Sequence, residues 1–259
     1  VIALSPPSQA SDAPATVSEA VYRQLRHDIL WGEFAPGSPL RSDELRERYS
    51  VGISPLREAL SRLAGERMVT VSGQRGFRVA ALTVEDVEDT VETRIVLERE
   101  ALTRSIAAGD LNWETNIVAC FHALSRRSGP GGPGEFSDEW IQHHRAFHMA
   151  LIAACGSRLL REMSLLLFDQ AERHRIVTFR FVKLAKMQRD ASSEHKLLMD
   201  ATLARDAPAA IRLLEHHYRE TARILASFMP PDFFSKAENQ AAGGGKRRSA
   251  KGPALQQDI

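Results

Sequence analysis

The sequence predicts a mainly α protein in two parts, an N-terminal winged helix-turn-helix and a C-terminal all-helical bundle. Three observations carry this. Up to about residue 80, short apolar stripes of helical period alternate with two β-branched runs. Beyond it, long helical patterns continue to about Phe234. The 259 residues also exceed one typical domain of roughly 100–200 residues without reaching three.

In the first part, Val21, Leu25 and Ile29 recur at i, i+4, i+8, and Gly32 ends that helix. The two prolines and the glycine of 33–41 form a turn or short strand. Ser42 reads as an N-cap before the acidic first turn of Asp43 and Glu44, opening a short helix with Leu45 and Tyr49 inward. Ser54 followed by Pro55 reads as the next start, serine as cap and proline at the first helical position. From there Leu56, Ala59, Leu60, Leu63 and Ala64 make a one-sided stripe, with Arg57, Ser61 and Arg62 opposite. Met68 to Val71 and Phe77 to Val79 flank SGQRG, the composition of a hairpin tip carrying Arg75.

In the second part Thr83 caps a helix carrying Val84, Val87, Val91, Ile95, Leu97 and Ala101. Later helices are expected near 113–127, 136–154, 157–180, 187–204 and 207–228, six or seven in all. GPGGPG at 129–134 is a loop, and CGS at 155–157 separates two helices. Residues 1–15 read as a disordered lead without the basic start and apolar run of a secretory signal, and 236–259 as a disordered basic tail. The domains are therefore expected at 16–80 and 81–235.

Lys plus Arg is 34 against 33 acidic residues, a net charge of +1, which excludes a globally basic coat protein and an acidic disordered chain. The balance hides a local patch. Between 54 and 78, Arg57, Arg62, Arg67, Arg75 and Arg78 face only Glu58 and Glu66, an excess of +3. A solvent-facing basic helix followed by a basic hairpin fits the major groove of double-stranded DNA. Cys120 and Cys155, far apart and without a Cys-x-x-Cys spacing, read as buried thiols of a reducing cytoplasm. The longest apolar run, Met149 to Cys155, has 7 residues, well short of the roughly 18 a membrane helix needs.

Residues 44–79, ELRERYSVGISPLREALSRLAGERMVTVSGQRGFRV, resemble the signature of the GntR family of bacterial transcription regulators, with Pro55, Arg57, Glu58, Ala59 and Leu60 matching its core. The resemblance implies that Ser54 and Arg57, with Arg62 on the same face, contact DNA. It also implies that Gln74, Arg75 and Gly76 at the wing tip enter the minor groove. The chain departs where the family shows Ser-Arg and Gly52-Ile53 stands instead, so one basic contact is missing. One recognition helix per chain implies a homodimer on an inverted-repeat operator.

His144 and His148 lie at i, i+4 and share a helix face, the spacing of a metal pair and equally of a polar helix face. FHMALIAACGS at 147–157, EHKLLMDATLARDAPAA at 194–210 and then His217 are similar to the FCD ligand-binding domain of the FadR-type branch of GntR regulators. That resemblance implies a divalent metal, Zn or Ni, held by His148, His195 and His217, the last lying 22 residues after His195, with His144 where the family has Asp. It further implies a small organic acid as effector, with Arg94 of ETRIVLERE pairing its carboxylate. The alternative for Arg94 is a surface pair with Glu98. The rival from another class is a metal-dependent hydrolase using the four histidines and Glu194; no His-Glu-x-x-His, Gly-x-Ser-x-Gly or Walker loop supports it. A purely structural or directly sensed metal is the third reading.

Overall fold

A computed structural model describes residues 16–71, 76–126, 137–182 and 190–229. The lead at 1–15, the wing-tip residues Gln74 and Arg75, and the basic tail at 236–259 lie outside these.

The N-terminal elements are α1 (Val17–Leu30), β1 (Pro39–Leu40), α2 (Ser42–Tyr49), α3 (Ile53–Gly65), β2 (Val69–Val71) and β3 (Phe77–Val79). Thr16 caps α1, its hydroxyl accepting from the Glu19 N–H at 3.2 Å. The strands form an antiparallel sheet in the order β1-β3-β2, with Leu40 opposite Phe77 and Val69 opposite Val79. Gly76, with φ at 89°, leads into β3 in a conformation that side chains disfavour. The stripes expected from spacing, Val21, Leu25, Ile29, Leu56, Leu60 and Leu63, are buried together as one core.

Two start signals fall differently from expectation. Arg41 and Gly52, not Ser42 and Ser54, hold the N-cap positions, and neither helix has a side-chain cap. The physical reason is that several first-turn N–H groups of a helix lack internal partners, so Pro55 is tolerated at the third position as well as the first. Ile53 and Ser54 then join the first turn.

The C-terminal part contains α4 (Val84–Ala108), α5 (Leu111–Ser125), α6 (Asp138–Leu151), α7 (Arg158–Val182), α8 (Ala191–Leu203) and α9 (Ala207–Phe228). Thr83 and Asp86 form a full capping box at α4, and Asp110, Ser137, Asp190 and Asp206 cap the starts of α5, α6, α8 and α9. Gly156, with φ at 70°, turns the chain between α6 and α7. Arg205, between α8 and α9, reaches back to the Ile106 carbonyl at 2.6 Å and the Gly109 carbonyl at 2.8 Å, satisfying the end of α4. A second core runs from Leu82 through Ile95, Leu102, Ile117 and Leu151 to Leu225. Cys155 is buried as expected, whereas Cys120 is only half-buried, packed against the C-terminal core. No helix among the described residues is long and apolar enough to cross a membrane.

The two parts meet along α6 and α7. Ile141 and Ile176 are buried in the N-terminal core, although they belong to the C-terminal helices. Arg26 pairs with Asp169 at 2.6 Å, Trp31 donates its indole N–H to Asp138 at 2.8 Å, and Arg173 donates to the Ala80 carbonyl. Beside Arg173 lies His174, buried at the same junction. Burial, reinforced by the Arg173 charge, pushes its imidazole from the usual 6.5 down to about 3.

The folded chain therefore keeps His174 neutral where the unfolded chain would protonate it. Its share of stability is full above pH 6.5 and is lost as pH falls. The loss runs at about 1.4 kcal/mol per pH unit, or about 2 kcal/mol by pH 5. Urea unfolding at pH 7 and pH 5 is expected to show that increment in the wild-type chain and to lack it in His174→Leu; equal pH sensitivity of the two would refute the assignment.

Candidate functional site

α3 presents its polar face to solvent. Ser54, Arg57 and Ser61 are exposed, and Arg57 forms no ion pair among the described residues. Ile53, at the position where the basic contact is missing, is exposed as well. Arg62 shares this face but turns toward α1, pairing with Glu19 at 2.6 Å and lying 3.5 Å from the Tyr22 ring centre. Arg78 is likewise taken up by the fold, donating to the Gly37 carbonyl at 2.7 Å. The outward cation on this helix is thus Arg57.

The second constellation lies inside the bundle. α6 supplies His144 and His148 one turn apart on one face, α8 supplies His195, and α9 supplies His217. All four are buried, and each offers a ligand nitrogen within 4.8 Å of the others. The four histidines picked out in the sequence are therefore brought together.

The surrounding groups decide which ring nitrogen each histidine leaves open. Tyr218 donates its hydroxyl proton to Glu98 at 2.5 Å, so His148 Nδ1, 3.1 Å from that oxygen, must be the donor there. The lone pair of His148 then sits on Nε2. His217 Nδ1–H donates to Glu194 at 2.7 Å, and His144 Nδ1 lies 3.1 Å from a Glu172 oxygen. His144 and His148 turn their Nε2 atoms toward each other at 3.1 Å, where one ring can donate its N–H to the other according to its tautomer. With both Nδ1 atoms protonated, the two lone pairs would repel unless something electrophilic lay between them. His195 Nε2 is buried without a hydrogen-bond partner.

Electrostatics point the same way. Burial, then the neighbouring histidines and Arg94, hold His148 well below its usual value; burial, His217, His144 and Arg175 do the same for His195. Buried imidazoles, with Nδ1–H of His148 held by a hydroxyl and that of His217 by a carboxylate, form the donor set that a late first-row divalent cation takes. The 3.1 Å separation compares with about 3.3 Å between nitrogens around a tetrahedral zinc with bonds near 2.0–2.1 Å. The residues fit the metal that the family resemblance implies.

Arg94 is buried, and its guanidinium donates to Glu98 at 2.9 Å and to the Tyr218 hydroxyl at 2.9 Å. The Glu98 pair anticipated from spacing forms, but in the interior and not at the surface: the Tyr218 ring lies 4.0 Å from the cation and shields it. Sequence reasoning missed Glu98 as part of the site, and missed Glu172, Arg175 and Tyr218 altogether. Tyr218 follows His217 directly, and that adjacency was the one available signal.

The family described as bacterial regulatory proteins of the gntR family matches residues 17–79, and the FCD domain matches residues 89–220. The HTH-type transcriptional repressor GlaR of Escherichia coli K12 is 40% identical over 209 residues, spanning 80% of this chain and 95% of GlaR. BphR of Paraburkholderia xenovorans LB400, described as an uncharacterized HTH-type transcriptional regulator, is 37% identical over 212 residues, covering 81% and 85%. Among solved structures, E. coli McbR/YncC shares the fold with a TM-score of 0.67 at 20% identity, covering 82% of this chain and 98% of its own. The relatives are named as transcriptional regulators, and the hydrolase alternative gives way to them.

The network around Tyr218 makes its own prediction. Tyr218→Phe removes the hydroxyl that serves His148, Arg94 and Glu98 at once, leaving buried polar groups short of partners. The expected loss is about 1–3 kcal/mol, read from urea unfolding at pH 7. A variant as stable as wild type would show that the three groups find other partners.

Proposed function

The chain belongs to the GntR family of bacterial regulators with an FCD domain and is a transcriptional regulator; from that premise we propose that a small carboxylic acid, bound at a four-histidine metal centre, controls its hold on operator DNA. The observation that carries the reading is the convergence of His144, His148, His195 and His217 within 4.8 Å in a buried, carboxylate-backed cluster. A bound Zn²⁺ or Ni²⁺ would supply a Lewis-acidic position for a carboxylate oxygen.

The chain's own residues do the rest. Glu194 and Tyr218 orient His217 and His148, and the surrounding helices exclude water. Arg94 gives Nε and Nη2 to Glu98 and Tyr218, which leaves Nη1 for the effector's carboxylate. In the N-terminal part, Ser54 and Arg57 read the operator from α3, Arg62 supports that face, and the wing tip at Gln74, Arg75 and Gly76 reaches the minor groove. The protein acts as a cytoplasmic homodimer on an inverted repeat, and as a repressor in the manner that GlaR's name states for GlaR.

Elemental analysis of untagged protein tests the centre: one divalent metal per chain is expected in wild type and none in His148→Ala, with operator binding retained in that variant. A wild-type chain without stoichiometric metal would overturn the reading. Arg57→Ala is expected to weaken operator binding by about 1–3 kcal/mol, roughly 5- to 150-fold, if it meets a base edge. Fluorescence anisotropy on operator and random duplexes checks this; equal affinity of variant and wild type for the operator would remove Arg57 from the interface.

A further inference from the structure

The four histidines differ in what lies behind them. His217 backs onto Glu194 of α8, and His148 onto Tyr218 of α9 and Glu98 of α4, all within the bundle. Among the described residues, His144 is the one whose ring stacks on Trp140, at the boundary with the DNA-binding part. Its ring stacks on Trp140, with centroids 4.6 Å apart and planes at 24°. Trp140 packs against both hydrophobic cores. Its neighbour Ile141 is buried in the N-terminal core, where Ile176 of α7 joins it. Glu172, 3.1 Å from His144 Nδ1, lies on α7 between Asp169, which holds Arg26 of α1, and Ile176.

We propose that His144 reports occupancy of the histidine site to the DNA-binding domain through its stack on Trp140, which acts as the positioning residue. This inference rests on the metal centre proposed above. An imidazole that gives its Nε2 lone pair to a cation carries more positive charge on its ring, and the electron-rich indole face attracts it more strongly. The Arg175 guanidinium, 4.4 Å from a Trp140 ring centre, competes for that indole, so the aromatic pair is placed to respond to a change of charge on its partner. A tighter stack steadies Trp140 and Ile141, and with them the seat of α1. A carboxylate at position 144 could still offer a metal an oxygen, but it has no ring with which to grip Trp140. Histidine at this position thus couples two events that an acidic ligand would leave separate.

The test uses the full chain, stripped with a chelator and reloaded with Zn²⁺, with amide hydrogen exchange of α1 (17–30) as readout. In wild type, zinc is expected to slow exchange across α1 by about fivefold or more. His144→Asp and Trp140→Ala are each expected to take up zinc and protect α6 and α9, yet leave α1 exchange unchanged; Trp140→Phe, which keeps an aromatic face, should retain the response. Slowing of α1 in both variants to the wild-type extent would overturn the proposal, as would an unresponsive α1 in zinc-loaded wild type. Trp140→Ala leaves all four ligands in place and decides alone if His144→Asp loses zinc, while His144→Asp decides if Trp140→Ala fails to fold. Failure of wild type to bind zinc refutes the metal centre and this inference together, whereas zinc uptake without the coupling refutes this inference alone.

Discussion

Four imidazoles buried within 4.8 Å of one another must each place two ring nitrogens away from bulk solvent. The helical part is arranged around that demand. Nδ1 of His144, His148 and His217 faces Glu172, Tyr218 and Glu194, respectively. Those groups bring demands of their own. Glu98 accepts from Tyr218 and is held by Arg94, while Glu172 is held by Arg175. Burial pushes Glu172 upward in pKa, and the Arg175 charge opposes it. Because the members come from α4, α6, α7, α8 and α9, satisfying the imidazoles together restricts the placement of five helices. An apolar filling would tolerate small slips between helices; directional partners at 2.5–3.1 Å do not.

The N-terminal part obeys a different constraint. Its helices are short, and the small core that their apolar stripes form is extended by Ile141 and Ile176 from α6 and α7. The DNA-binding part therefore does not end at its own surface. Arg62 illustrates the same dependence on context. It reads as one more cation on an exposed helix face, yet Glu19, Glu66 and the Tyr22 ring draw it back against α1. The recognition helix is thereby steadied from behind, and Arg57 is left as its outward charge.

Much of this was legible in the sequence, and the parts that were not share a cause. Thr83, Gly156 and the stripes of α1 and α3 declare themselves because caps, turns and amphipathic faces are local patterns. The i, i+4 spacing of His144 and His148 is local too, and the family resemblance supplied His195 and His217. Glu172 declares nothing, since no spacing rule links a residue of one helix to a residue of the helix before it. The Arg94–Glu98 pair was visible as a spacing and misjudged in depth. Charged residues are seldom fully buried unless paired, and the third partner that makes burial tolerable, Tyr218, lies 120 residues beyond Glu98. Ser54 before Pro55 was a true signal of a helix start, blurred because proline is accommodated throughout the first turn.

The contrast between the bundle and the junction explains how a small ligand could matter. Within the bundle, a continuous core from Leu82 to Leu225 stands behind every polar contact. At the junction, among the described residues, Ile141, Ile176 and the partly buried Trp140 provide the apolar packing against the N-terminal core. The remainder is polar: Arg26 with Asp169, Trp31 and His27 with Asp138, Gln170 with the Glu66 carbonyl and Arg173 with the Ala80 carbonyl. Partly exposed ion pairs of this kind contribute about 0–1 kcal/mol each, and hydrogen bonds about 0.5–1.5 kcal/mol. Arg173 adds a buried guanidinium with no carboxylate at ion-pair distance among the described residues, and burial lowers its pKa to about 10. A coupling energy of about 1–3 kcal/mol, the usual allosteric range, is large beside any single one of these contacts and small beside the core of the bundle. The sequence has thus placed its rigidity around the histidines and its compliance between the two parts, which is the distribution that lets a binding event inside one domain alter the set of the other without unfolding either.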